Sequence, residues 1–102
     1  MEGKISFGKE SDFAEGIMKG FLVGSHKILV AKIDGKFYAV DSVCTHAKGP
    51  LDKGPMKEGI VTCPWHGSEF NVKTGDVVRG PAVEPLHKYE VTVENGELFL
   101  TV

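Results

Sequence analysis

The chain predicts an all-β fold, and three observations carry that expectation. Thirteen Gly and five Pro punctuate short runs rich in Val, Ile, Phe and Tyr, the composition of strands joined by tight turns. The segment Tyr89-Glu90-Val91-Thr92-Val93-Glu94 alternates strictly, which places Tyr89, Val91 and Val93 on one buried face and the polar residues on the other. Asp34-Gly35 and Asn95-Gly96 each separate two apolar runs. These dipeptides favour the type I′ hairpin turn, whose two central residues both take positive φ.

In chain order the predicted strands are Lys4 to Phe7, Met18 to Val23, Lys27 to Ile33, Phe37 to Val40, Gly59 to Thr62, Glu69 to Val72, Lys88 to Val93 and Leu98 to Thr101. Each is a short apolar or alternating run stopped by Gly, Pro or a polar turn. Helix has little room: Ser11 to Glu15 is the best candidate, with Ser11 or Asp12 as cap, and Gly16 limits it to one turn. No repeat, low-complexity tract or linker interrupts the 102 residues, so residues 1–102 are expected to form one domain with a modest core.

Hydrophobic content of 41% with 25% charged residues suits an ordered globular protein. The net charge of -2, with no basic block, gives no footprint for nucleic acid. The segment Met1 to Glu10 has no apolar core of a signal peptide, and no stretch approaches the roughly 18 to 20 apolar residues of a membrane span. A cytoplasmic, unanchored protein is the expectation.

Two short motifs carry the chemistry. Cys44-Thr45-His46 is followed, after residues 47 to 62, by Cys63-Pro64-Trp65-His66-Gly67. They pair the only two cysteines with two of the four histidines, each in the order Cys then His. A single-zinc finger usually gathers its cysteines in one turn and its histidines in another. Here each loop offers one thiolate and one imidazole, so two facing loops can give Cys44 and Cys63 to one metal and His46 and His66 to its neighbour. A disulfide is disfavoured, because a bare disulfide needs no His two or three residues after each Cys. A structural Cys2His2 zinc module uses the same four residues and remains open at this point.

The C-x-H and C-P-x-H-G motifs, the gap between them and Phe70 shortly after resemble the Rieske-type [2Fe-2S] ferredoxins, and the flanking strand-rich segments fit that family along most of the chain. The resemblance implies an antiparallel β-sandwich or barrel carrying a small cluster-binding subdomain formed by two loops, about 43–50 and 62–70. It implies one Rieske [2Fe-2S] cluster held by Cys44, His46, Cys63 and His66, with two His replacing two Cys on one iron. Both loops grow from strand ends, near Val40 and directly after Ile60-Val61, which is how a rigid scaffold fixes metal geometry. The length leaves no room for the mononuclear iron domain of a complete Rieske oxygenase, and the missing span argues against a membrane-tethered respiratory subunit.

Replacing two thiolates by neutral imidazoles removes negative charge from the cluster and raises its potential from about -400 mV to roughly -150 to +300 mV. Within that window the family's high-potential members carry an extra Cys in each loop and a Tyr where this chain has Phe70; Gly49 and Trp65 occupy the extra-Cys positions. Ser68 keeps a hydroxyl for a bridging sulfide. Fewer donors to sulfur stabilise the reduced state less, so a potential nearer -150 than +100 mV is expected. Gly49 and Gly67 are read as letting backbone amides approach sulfur, with ordinary turns as the alternative. Pro64 shapes the second loop. Gly80-Pro81 resembles the proline-containing third loop that covers the cluster, although a generic turn explains it too. Trp65 either shields the cluster and forms a docking surface or packs in the core.

His26 and His87 lack a Cys at ligand spacing and are expected to be surface residues. Lys48 and Lys53 flank the first loop and are candidates for steering an acidic partner, or are simply solvated. With every cluster ligand supplied by protein, no metal position is open to substrate. The resemblance therefore implies an electron carrier without catalysis of its own, passing electrons from an NAD(P)H-dependent flavoprotein reductase to a terminal oxygenase by contacts near His46 and His66. A nitrite reductase small subunit and a redox sensor are the other readings.

Overall fold

The computed structural model describes residues 4–45, 48–65 and 67–101. His46 and His66, two of the four expected ligands, lie outside the described residues. Among the described residues ten strands appear in the order β1 (Lys4–Lys9), β2 (Met18–Val23), β3 (His26–Ile33), β4 (Lys36–Asp41), β5 (Met56–Lys57), β6 (Ile60–Thr62), β7 (Glu69–Asn71), β8 (Val77–Arg79), β9 (Lys88–Glu94) and β10 (Glu97–Thr101). All pairs are antiparallel. Six strands form one sheet in the order β1-β10-β9-β4-β3-β2, and β5-β6-β7-β8 form a second. The larger sheet curls nearly into a barrel, with Phe7 of β1 and Phe21 of β2 meeting edge to face at 5.1 Å across the seam.

The turns follow the sequence. Asp34 and Gly35 (φ 53° and 76°) and Asn95 and Gly96 (φ 53° and 79°) all take positive φ, the type I′ signature. A third such turn, Glu58-Gly59 (φ 53° and 81°), joins β5 to β6. The predicted turn of helix is instead a 3-10 turn at Glu10–Asp12. The Asp12 carboxylate accepts from the Lys9 N–H at 3.2 Å, which starts the turn early, and the buried Phe13 then draws the chain out extended.

Strand β3 decides where the site goes. Ile28, Leu29, Val30 and Ala31 are consecutive and all fully buried, so both faces of β3 are covered. Ile28 and Val30 join Phe13, Val23, Ala39, Leu98 and Leu100 inside the barrel. Leu29 and Ala31 face the other way, with Val40, onto Leu51, Val61, Phe70, Val72, Ala82, Leu86 and both cysteines. Full burial of a Leu or Phe side chain contributes roughly 1.5–3 kcal/mol, so this second core fixes the small sheet against the barrel wall. The subdomain is thus more than two loops: a four-stranded sheet carries the second loop between β6 and β7.

The expected face Tyr89-Val91-Val93 holds only in part. Tyr89 and Val91 pack on the barrel core, whereas Val93 is 41% exposed at the hairpin end beyond the aromatic cluster.

Candidate metal centre

Two residues, Ser42 and Val43, separate Cys44 from the end of β4, and Cys63 follows β6 directly. Both thiols are buried, and they are not joined to each other. The two loops share one backbone frame. The Cys44 N–H donates to the carbonyl of Gly49 at 2.9 Å, and the Lys48 N–H donates back to the carbonyl of Cys44 at 2.8 Å. In the second loop the Cys63 N–H donates to Ser68 at 2.8 Å, and the Gly67 N–H donates back to Cys63 at 3.0 Å. The spacing is the same in both, and the residue four after each Cys, Lys48 or Gly67, takes positive φ.

The frames interlock. Gly49 is buried, and a Cβ there would stand 2.6 Å from the Cys63 Sγ and 3.2 Å from Trp65 Cγ. Only a glycine lets the first loop lie this close to the second thiol. Gly67 differs: an added Cβ meets nothing within 4 Å, and φ of 80° is what demands glycine. Its amide serves the loop frame by donating to the Cys63 carbonyl. Trp65 is 57% exposed and lies over Gly49, which removes the core-packing alternative.

The stem of the first loop is held from two sides. Ser42 donates its hydroxyl to Asp52 Oδ1 at 2.9 Å and its carbonyl accepts from the Leu51 N–H at 2.8 Å. The neighbouring Asp41 donates its N–H to His87 O at 3.0 Å. A third loop, 80–87, ties to both ligand loops: the Ala82 N–H donates to Ser68 Oγ at 3.0 Å, and the Thr45 hydroxyl donates to Glu84 O at 2.7 Å. Gly80-Pro81 is a cis peptide at its start, with Pro81 exposed. Ser68 is buried, and because its oxygen accepts from Ala82, its proton is left to donate elsewhere. Phe70, opposite Val61 in the small sheet, is fully buried in the same core as the two thiols. Pro64 is exposed beside Trp65.

Sequence reasoning missed Ser42, Thr45, Asp52 and Gly75. Gly75 combines a φ of 84° with a Cβ position 2.5 Å from Leu86 O, and only its place just after Thr74 hinted at a turn. Thr45 lies inside the first motif, between Cys44 and His46.

His26 and His87 are exposed, yet they flank Tyr89, with ring centroids 6.1 and 4.6 Å from it. With Asp41 and Thr101 they line an open cavity of about 430 Å³ that contains neither thiol. The Tyr89 hydroxyl donates to Asp41 Oδ1 at 2.6 Å. Burial first, then this hydrogen bond and the Asp41 charge, push the Tyr89 pKa well above its ordinary value.

Two unlinked thiols removed from water in an apolar core are costly as thiolates unless a metal neutralises them. Their burial, the glycine cradle beside Cys63 and the spare Ser68 proton fit the sulfur-ligated side of an iron–sulfur cluster. Among the described residues no helix is long and apolar enough to cross a membrane.

Residues 3–90 match the Rieske [2Fe-2S] domain. The p-cumate 2,3-dioxygenase system ferredoxin component of Pseudomonas putida is 34% identical over 93 residues, covering 89% of this chain and 79% of that protein. Apoptosis-inducing factor 3 of Homo sapiens is 38% identical over 89 residues, covering 87% of this chain, which spans 15% of that longer protein. A chain from the complex of reduced oxygenase and oxidized ferredoxin in carbazole 1,9a-dioxygenase aligns with a TM-score of 0.89 and 31% identity, covering 96% of this chain and 92% of that one. With buried cysteines in two matching loops and the domain matched along most of its length, the chain belongs to the Rieske [2Fe-2S] domain family.

Proposed function

We propose that this chain is a one-electron carrier that takes electrons from an NAD(P)H-dependent flavoprotein reductase and delivers them to a terminal oxygenase. The observation that carries the reading is the pair of buried, unlinked thiols, Cys44 and Cys63, in loops of one design interlocked at Gly49. Relatives of similar length are named as ferredoxin components of dioxygenase systems, and a similar fold occurs in a complex of ferredoxin with oxygenase.

In this reading Cys44 and Cys63 hold one iron, and His46 and His66 hold the other. When bound, such a cluster supplies a single-electron couple between roughly -150 and +300 mV. The chain's residues then do four things. Gly49 lets the loops close on each other. Ser68 directs its hydroxyl proton toward sulfur. Phe70 fills the apolar wall behind the thiols without a competing hydroxyl, which sets the potential in the lower part of the window. Trp65 covers the first loop and, with its exposed neighbour Pro64, offers an apolar surface where partners dock briefly.

The test is direct electron delivery. The protein is reduced with dithionite, freed of excess reductant and mixed with the terminal oxygenase of the p-cumate system. Reoxidation within the turnover time of the oxygenase is expected. A reduced protein that persists with oxygenases of several dioxygenase systems contradicts the carrier reading.

A further inference from the structure

Lys48 occupies a backbone position that suits glycine. Its φ is 60°, and the equivalent residue of the second loop is Gly67 with φ 80°. Among the described residues, four other than glycine take positive φ. Asp34 and Asn95 are types that tolerate it, and Glu58 sits in a type I′ hairpin turn. Lys48 has neither excuse: it lies in a ligand loop, two residues after His46, and a long side chain there carries a backbone cost that glycine avoids. Such outliers persist where the side chain serves a purpose.

The side chain is exposed. Among the described residues no carboxylate pairs with it, whereas the neighbouring Lys53 reaches Asp52 at 4.0 Å. Lys48 is also the only cation within residues 44–50 and 63–70. Its backbone is fixed through the N–H to Cys44 O bond, so the charge is anchored at the cluster end of the molecule.

We propose that Lys48 is a specificity-determining residue: its fixed cation selects partners whose docking face carries carboxylates, and the strained backbone is retained for that charge. This rests on the electron-carrier reading for its purpose but is measured independently of it. A rim charge of this kind acts on association rate and salt dependence.

The experiment compares Lys48→Gly, Lys48→Gln and Lys48→Arg with the unaltered holoprotein in two readouts. The first is thermal unfolding, where Lys48→Gly is expected to raise Tm by about 4 °C and Lys48→Gln to leave it unchanged. The second is one-electron oxidation of the dithionite-reduced protein by ferricyanide, which becomes ferrocyanide, and by tris(phenanthroline)cobalt(III), which becomes the cobalt(II) complex. At low salt, Lys48→Gly and Lys48→Gln should each lower the ratio of the anionic to the cationic rate by about fivefold. Lys48→Arg should restore it, and high salt should erase the difference. A Lys48→Gly protein no more stable than the original, or an unchanged rate ratio, overturns the proposal. Failure to reduce any oxygenase would instead overturn the carrier reading and leave both readouts standing.

Discussion

The Cα of Gly49 faces the Sγ of Cys63 so closely that a methyl group would stand 2.6 Å from the sulfur. One ligand loop is thus built against the thiol of the other, and neither thiol can be placed without both loops. Gly49→Ala should therefore lose more than half of its bound iron per protein. Gly67→Ala, which meets nothing within 4 Å, should keep its iron and lose only about 1 kcal/mol of stability from the left-handed backbone. Iron content and thermal unfolding of the two variants, side by side, check this.

Cys44→Ser and Cys63→Ser should each abolish the visible chromophore. Metal binding to such a site contributes to folding, so both variants should also unfold well below the parent temperature. A variant that retained full colour would show that its cysteine is not a ligand.

Ser68 holds the third loop by accepting from the Ala82 N–H while its own proton points elsewhere. Ser68→Ala strands that buried amide, costing about 1–3 kcal/mol, and on the proposed carrier reading also removes a donor to sulfur. One hydrogen bond of about 1 kcal/mol corresponds to about 40 mV in a one-electron couple, so the midpoint should fall by about that amount. Phe70→Tyr should move it in the opposite direction by adding a hydroxyl inside the same core. Redox titration of both reads the signs directly.

Tyr89 makes alkaline pH a probe of the cavity it lines with His26, His87, Asp41 and Thr101. Its folded-state pKa is raised by burial, by the hydrogen bond to Asp41 and by the Asp41 charge. The stabilisation tied to its protonated form is therefore fully present below the ordinary tyrosine value of about 10 and declines as pH rises above it. Unfolding free energy measured from pH 8 to 11.5 should fall more steeply for the parent than for Tyr89→Phe.

Much of the fold was legible because local rules and burial agreed. Strand β2 was read to the residue, and the Asp-Gly and Asn-Gly turns took the predicted φ signs. Strands β5 and β8 were missed, since two or three residues such as Met56-Lys57 carry no period. They exist because β6 and β7 offer them ladder partners. The cysteines were legible from their motifs, but the shared loop frame was not, because it is a backbone relation between Cys44 and Gly49 and between Cys63 and Ser68. Nor does a sequence tell a glycine set by its φ, as at Gly67, from one set by a neighbouring atom, as at Gly49.

The central claim is that Cys44 and Cys63 share a two-iron cluster with His46 and His66. Iron and acid-labile sulfide analysis of the protein purified from iron-replete cells, combined with EPR of the dithionite-reduced sample, tests it most directly. The account predicts a red-brown protein with about two irons and two sulfides per chain and a reduced-state spectrum of the mixed His/Cys type. A colourless protein holding one zinc per chain would contradict it.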